Sequence, residues 1–253
     1  MSDAITVRDV APGPGEYLCV ATRAWWTGFL SAPGHRLACI FEQLLTEWVP
    51  HDPADDWLWD RRMTGERRWL VGNDDEARAL GIDASPRWPT GRWQAAHGDW
   101  FGAREASWGF PTPEFLAELP TEPDALLRRL EGAGPGVRGV SKRVAALLRT
   151  GRVPAELRAA LYAVLDRAPG LAVEAGRNVD GVEGIAFVVE DAGRRTELIV
   201  DPDGGAFIGE RETVLDVPET GLPPGTVTSE TAVRSGISHA LGEMPARLSP
   251  GGA

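Results

Sequence analysis

Lysine is all but missing from this chain: of its 26 basic residues only Lys142 is a lysine. The rest are arginine, and with abundant alanine, glycine and proline this fits the coding bias of a GC-rich genome. Basic residues as a whole are outnumbered by 37 acidic ones, giving a net charge of −11. A chain of that sign repels phosphate backbones, which argues against nucleic acid as a partner. Cysteine is scarce too. Cys19 and Cys39 set no disulfide framework, and they would pair only if their strands neighbour each other. Two ordinary buried thiols are the preferred reading. No stretch approaches the roughly 18 apolar residues of a membrane-spanning helix. Residues 1–14 have neither the basic start nor the apolar core of a signal peptide. The four histidines show no HxxxH or HxH spacing, no cluster offers the three or four convergent ligands of a zinc site, and neither GxSxG nor CxxC occurs. Tryptophan is absent after Trp108.

Before that point it is crowded: all ten tryptophans lie between Trp25 and Trp108. Each can bury about 150–250 Å². A protein of this size cannot leave so much apolar area in water, so most of them are expected to be core, with a minority lining an apolar site. At 253 residues, with 43% apolar and 25% charged residues, the chain is long enough to bury a sizeable core without metals or disulfides. No clean linker divides it. It reads as one domain over 1–253, with an ordered core at about 15–235 and flexible tails.

Alternating apolar residues predict strands at 16–29 and 37–49, separated by the turn signal Ser31-Ala-Pro-Gly34. Trp57–Arg62 and Arg67–Val71 read as two further strands joined by a turn at Thr64-Gly65. Residues 72–110 read as a long loop packed by Trp88, Trp93, Trp100 and Trp108. Four helices follow. Thr112-Pro113 opens the first, Thr121 caps the second, Ser141 opens the third, and Pro154 starts the fourth, whose Leu157, Leu161, Val164 and Leu165 share one face. Strands return at 171–173, 182–190, 194–201, 206–215 and 226–235, and the chain is expected to fray from Gly236. Strands, then helices, then a strand meander is the α+β pattern.

Motifs that might carry chemistry are weak. In Gly134-Pro-Gly-Val-Arg-Gly139-Val140-Ser-Lys142, Val140 stands where a phosphate-binding loop needs lysine, so a helix connection is the plainer reading. His51-Asp52 and His97-Gly-Asp99 place a carboxylate near an imidazole, but in polar turns. Asp201-Pro-Asp203-Gly204 lacks the later ligands of a calcium loop and reads as a hairpin turn. The acidic pairs Asp55-Asp56 and Asp74-Asp75 sit in Pro/Gly-rich loops and read as solvated.

Several segments carry a resemblance. They include Pro14-Gly-Glu-Tyr-Leu18, Glu47-Trp-Val-Pro-His-Asp-Pro53 with Trp57-Leu-Trp59, Leu119-Pro-Thr-Glu-Pro-Asp-Ala-Leu-Leu127, Val153-Pro-Ala-Glu-Leu-Arg-Ala-Ala-Leu-Tyr162, and Gly184-Ile-Ala-Phe187 leading to Thr196-Glu-Leu-Ile-Val-Asp-Pro202 and Gly209-Glu210. On these the chain resembles an uncharacterised actinobacterial family of sigma-factor-associated, usually membrane-anchored extracytoplasmic proteins. Its last part is similar to the closing meander of lipoprotein-carrier-like (LolA-like) half-barrels. The resemblance implies a curved antiparallel sheet wrapped on helices, with an apolar groove for acyl chains. Members usually begin with a membrane-spanning helix, which this chain lacks. An anchor upstream of Met1 would place it on the extracytoplasmic side.

The resulting expectation is an α+β fold, a curved antiparallel half-barrel sheet packed on three or four helices. It would serve as a non-catalytic module with an apolar groove for a lipid or an acylated ligand, with no cofactor and no metal. Trp25, Trp26, Trp48, Trp57, Trp59 and Trp69 are the candidate lining residues. Whether Trp57 and Trp59 face a cavity or a sealed core is the discriminating feature. Two alternatives stand: a protein-interaction partner of a sigma-factor or anti-sigma regulator with no small ligand, and a hydrolase using His51 or His97.

Overall fold

A computed structural model describes residues 5–32, 34–100, 105–132 and 136–248. The strands are β1 (Tyr17–Ala32), β2 (His35–Pro50), β3 (Asp56–Val71), β4 (Gly91–Ala96), β5 (Leu171–Arg177), β6 (Glu183–Asp191), β7 (Arg194–Val200), β8 (Phe207–Val214) and β9 (Val227–Ser238). They form one curved, open antiparallel sheet in the order β4-β3-β2-β1-β9-β8-β7-β6-β5. The first and last strands in sequence of the two meanders, β1 and β9, meet in its middle, Tyr17 opposite Ser238 and Trp26 opposite Ser229. The α-helices are α1 (Asp74–Ala79), α2 (Pro113–Ala117), α3 (Pro123–Glu131), α4 (Val137–Arg149) and α5 (Ala155–Asp166). The α+β half-barrel expectation therefore holds, with α2–α5 as the helical layer.

Because strand side chains alternate, register assigns every residue to a face. Leu18, Val20, Val49 and Trp57 point to the helices and join Leu126, Leu130, Leu147, Leu161 and Leu165 in one continuous core. These five leucines are fully buried. From the far end of the sheet, Phe187 adds a stack on Tyr162, ring centroids 5.6 Å apart, and the Tyr162 hydroxyl donates to the Gly205 carbonyl at 2.8 Å. The outer face carries smaller clusters, among them Cys19, Trp48, Leu58 and Leu248.

Several boundaries differ from the sequence reading. Thr64-Gly65 is not a turn: β3 runs through it as one strand, since both sides pair with β2 in the same direction. Phe41 faces Arg67 and Gln43 faces Met63, so the extra residues bulge out, with Gly65 at φ +91°. A Thr-Gly pair serves a bulge as readily as a turn, and only pairing separates the two. The 72–110 stretch holds α1, capped by the Asn73 side chain accepting from Glu76 N at 2.9 Å, and β4, which extends the sheet beyond β3. Thr112 caps α2 as expected. Glu122, not Thr121, caps α3, its carboxylate accepting from Asp124 N and Ala125 N. α4 starts four residues before Ser141, at Val137, behind Gly136 at φ +96°. Gly134 and Pro135 of the glycine-rich motif lie outside the described residues, Gly136 precedes the helix, and Val137–Lys142 are its first residues rather than a loop. β5 runs to Arg177 rather than ending at 173.

Packed structure also reaches past 15–235. Ile5 and Val7 touch the helix-side core, and Thr6 N and Arg8 N donate to the carbonyls of Pro202 and Gly204, both at 3.1 Å. Beyond β9 the chain does not fray at Gly236. It crosses the outer face to a 3₁₀ turn at Ala246–Leu248, whose Leu248 is buried. Cys19 and Cys39 are both free thiols. Their strands are neighbours, but Cys19 faces Trp48 while Cys39 faces Gly28, on opposite sides of the sheet and about 30 Å apart along it.

Candidate functional site

Register divides the six candidate tryptophans between two faces. Trp26, Trp57, Trp59 and Trp69 point to the helix side, and Trp25 and Trp48 to the outer side. Trp57 is 3% exposed, in the core, with its Nε1 donating to Pro53 O at 3.1 Å. Trp59 is half-buried and stacks on Trp93 and Trp100, ring centroids at 5.0 and 5.5 Å. Trp48 is buried and donates to Glu243 O at 2.7 Å. Trp25 is buried beneath the Arg68 guanidinium, 4.0 Å from its ring. Trp26 lies half-buried under Arg149, and Trp69 donates to Asp74. These side chains are tied into packing, and they do not converge on one groove.

A groove does exist elsewhere. It lies on the outer face, across β2, β1 and β9, with a volume of about 590 Å³. That is within the roughly 300–1,000 Å³ of small-molecule sites. No tryptophan lines it. Its floor is Ala21, Leu44 and Ala232, with Thr46 beside them. One end is closed by Met244 and Leu248 from the C-terminal segment, which is held on the sheet by the Trp48–Glu243 bond and by Ser238 Oγ donating to Ala240 O. The other end is closed by Val179 and Asp180 of the β5–β6 turn.

That turn comes from the far edge of the sheet. Asn178 builds it: its Oδ1 accepts from Asp180 N and Val182 N, both at 3.0 Å, and its Nδ2 donates to Ile208 O at 2.8 Å. The approach requires glycine at 209, where a Cβ would stand 2.9 Å from Asn178 Cβ and 2.3 Å from Thr231 O.

Charge rims the groove without filling it. Arg23 pairs with Glu42 at 2.5 Å and with Asp180 at 3.0 Å, and Arg234 pairs with Asp180 at 2.7 Å. Arg62 pairs with Asp60 at 3.1 Å, and Arg92 holds the same carboxylate at 3.0 Å. Glu42 and Asp180 are recessed, while the side chains of Arg23 and Arg62 are 43% and 62% exposed. The Arg23 guanidinium is held above its usual range by Glu42 and Asp180, which outweigh its desolvation. The arrangement offers an apolar floor and an outward cationic rim whose countercharges lie below it. Sequence reasoning missed it because the residues come from four strands, a turn and the C-terminal segment, and each is unremarkable in its own window.

The other candidates resolve into local roles. His51 is exposed, its Nδ1 2.8 Å from Pro12 O, and His97 takes a left-handed turn conformation at φ 57°. The Asp201 carboxylate accepts from Asp203 N and Gly204 N, as a hairpin turn requires. Among the described residues no group of three or more His, Cys, Asp and Glu is placed to hold a metal ion, and no helix is long and apolar enough to cross a membrane. No protein-family model, curated protein or solved structure matches this chain.

Proposed function

We propose that this protein is a non-catalytic binding module whose outer-face groove takes a hydrophobic ligand with a polar end, such as a fatty acid or another lipid. One observation carries the reading: an open groove of about 590 Å³ has an apolar floor, while the charged groups around it are paired with one another at its edge. An apolar chain laid along Ala21, Leu44 and Ala232 would displace water without stranding a charge. Its polar end would meet Arg23 or Arg62 at the rim. The resemblance to lipoprotein-carrier-like proteins supports the same ligand class, but the location differs. Here the space between sheet and helices is filled by leucines, and the open surface lies on the opposite face.

Native mass spectrometry of the purified chain, before and after incubation with mixed fatty acids and phospholipids, tests the proposal. Bound mass that an organic extract identifies as lipid is expected, and Ala21→Phe, which fills the floor at a half-buried position, should remove it while leaving the melting temperature near that of the parent. An unchanged apo mass with every lipid would sink lipid binding.

A further inference from the structure

On the helix-side face, one stripe of α4 holds three cations over a strand that answers only two of them. Arg138, Lys142, Ala145, Ala146 and Arg149 recur at the spacing of successive helical turns. Facing them, β8 presents Glu210 and Glu212, two residues apart. Arg149 donates to Glu210 Oε1 from Nε at 3.0 Å and from Nη2 at 2.6 Å, and Arg138 Nη2 lies 3.5 Å from Glu212 Oε2. Arg194 holds the other Glu212 oxygen at 2.8 Å. Lys142, the one lysine of the chain, stands between the two arginines and forms no ion pair among the described residues.

Between these two ties the small side chains of Ala145 and Ala146 leave a cavity of about 330 Å³. That is at the lower end of the roughly 300–1,000 Å³ of small-molecule sites. Trp26 closes it on the β1 side, with Arg149 5.4 Å from its ring centroid. Thr196 of β7 and Ser229 of β9 complete the wall. Thr196 is only 9% exposed and points to the helix side, as Leu198 does. Neither its hydroxyl nor that of Ser229 has a hydrogen-bond partner among the described residues. A recessed hydroxyl gains from a partner, since an unmade bond there costs free energy. Lys142 is exposed, so its ammonium can meet a solute entering the cavity. Hydroxyls and a carboxylate suit the alcohol groups of a ligand, and an unpaired ammonium suits one acidic group.

We propose that this cavity binds a small polyhydroxylated acid of the uronic-acid class, its carboxylate accepting from Lys142 Nζ and its hydroxyls meeting Thr196, Ser229 and Glu210. The site is separate from the outer-face groove: Trp26 and Thr196 point to the helix side of the sheet, and Ala21 and Ala232 to the other.

Isothermal titration with sodium D-glucuronate as the probe, and D-glucose as its neutral counterpart, tests it. Glucuronate should bind at least about fivefold more tightly than glucose, the margin expected for a charge-assisted contact to a solvent-accessible ammonium. Lys142→Gln should bring glucuronate down to the level of glucose and leave the melting temperature near that of the parent, because the side chain is exposed. Thr196→Val keeps the shape, removes the hydroxyl, and should weaken both sugars alike. Failure of the parent protein to bind glucuronate at millimolar concentration, equal affinity for glucose, or undiminished glucuronate binding in Lys142→Gln or Thr196→Val would each overturn the proposal.

Discussion

Trp57 and Trp59 are two residues apart on one face of one strand, yet they stand in different environments. Trp57 closes the helix-side core and Trp59 stands half-open at its rim. Trp57→Ala should therefore cost about 3–5 kcal/mol, as a large core truncation does, and Trp59→Ala clearly less. Urea denaturation of the two variants measures the gap, and equal losses would contradict the assignment. The cysteines give a second residue-scale test. Burial pushes the Cys19 thiol up from its ordinary 9.0 to about 12 and the Cys39 thiol to about 11. The folded protein thus keeps both thiols neutral where the unfolded chain ionises them. Their contribution is complete below pH 9.0 and is lost as pH rises through the folded values. A Cys19→Ala, Cys39→Ala double variant should show a shallower fall in unfolding free energy between pH 8 and 10.5. In the parent, neither thiol should react with a disulfide reagent at pH 8 until the protein is denatured.

At the scale of elements, the C-terminal segment is the part to probe. Trp48→Phe keeps the ring in its cluster but removes the bond to Glu243 O, a loss of about 1 kcal/mol. Ending the chain after Ser238 removes Met244 and Leu248 together, which uncovers Cys19 and opens the groove at that end. Cys19 should then become reactive in the native protein, and lipid retention should fall. Elements were also where the sequence was most legible. Alternation in β1 and β2 and leucine spacing in α5 announce themselves, because each is dictated by which face must leave water. Thr64-Gly65 and the 72–110 stretch were less so: a bulge uses turn residues, and β4 is a strand because β3 offers it an edge. The groove lay beyond local reading altogether. Ala21, Leu44 and Ala232 become neighbours only once β9 has docked on β1.

The whole molecule is organised about one unbroken sheet, with a single large core on its helix side. Heating should accordingly give one cooperative transition with calorimetric and van't Hoff enthalpies in agreement, and two resolved transitions would show that the meanders β1–β4 and β5–β9 melt apart. The central pairing has another consequence, for synthesis. β1 is made early, but its partner β9 begins only at Val227. Until then the nascent chain carries an open strand edge, Tyr17 to Trp26, and the sheet cannot join its two halves. The sheet therefore stays partly paired for as long as residues 27–226 take to be made. Chaperone dependence should track the delay between the synthesis of β1 and that of β9 more closely than it tracks the stability of the finished fold.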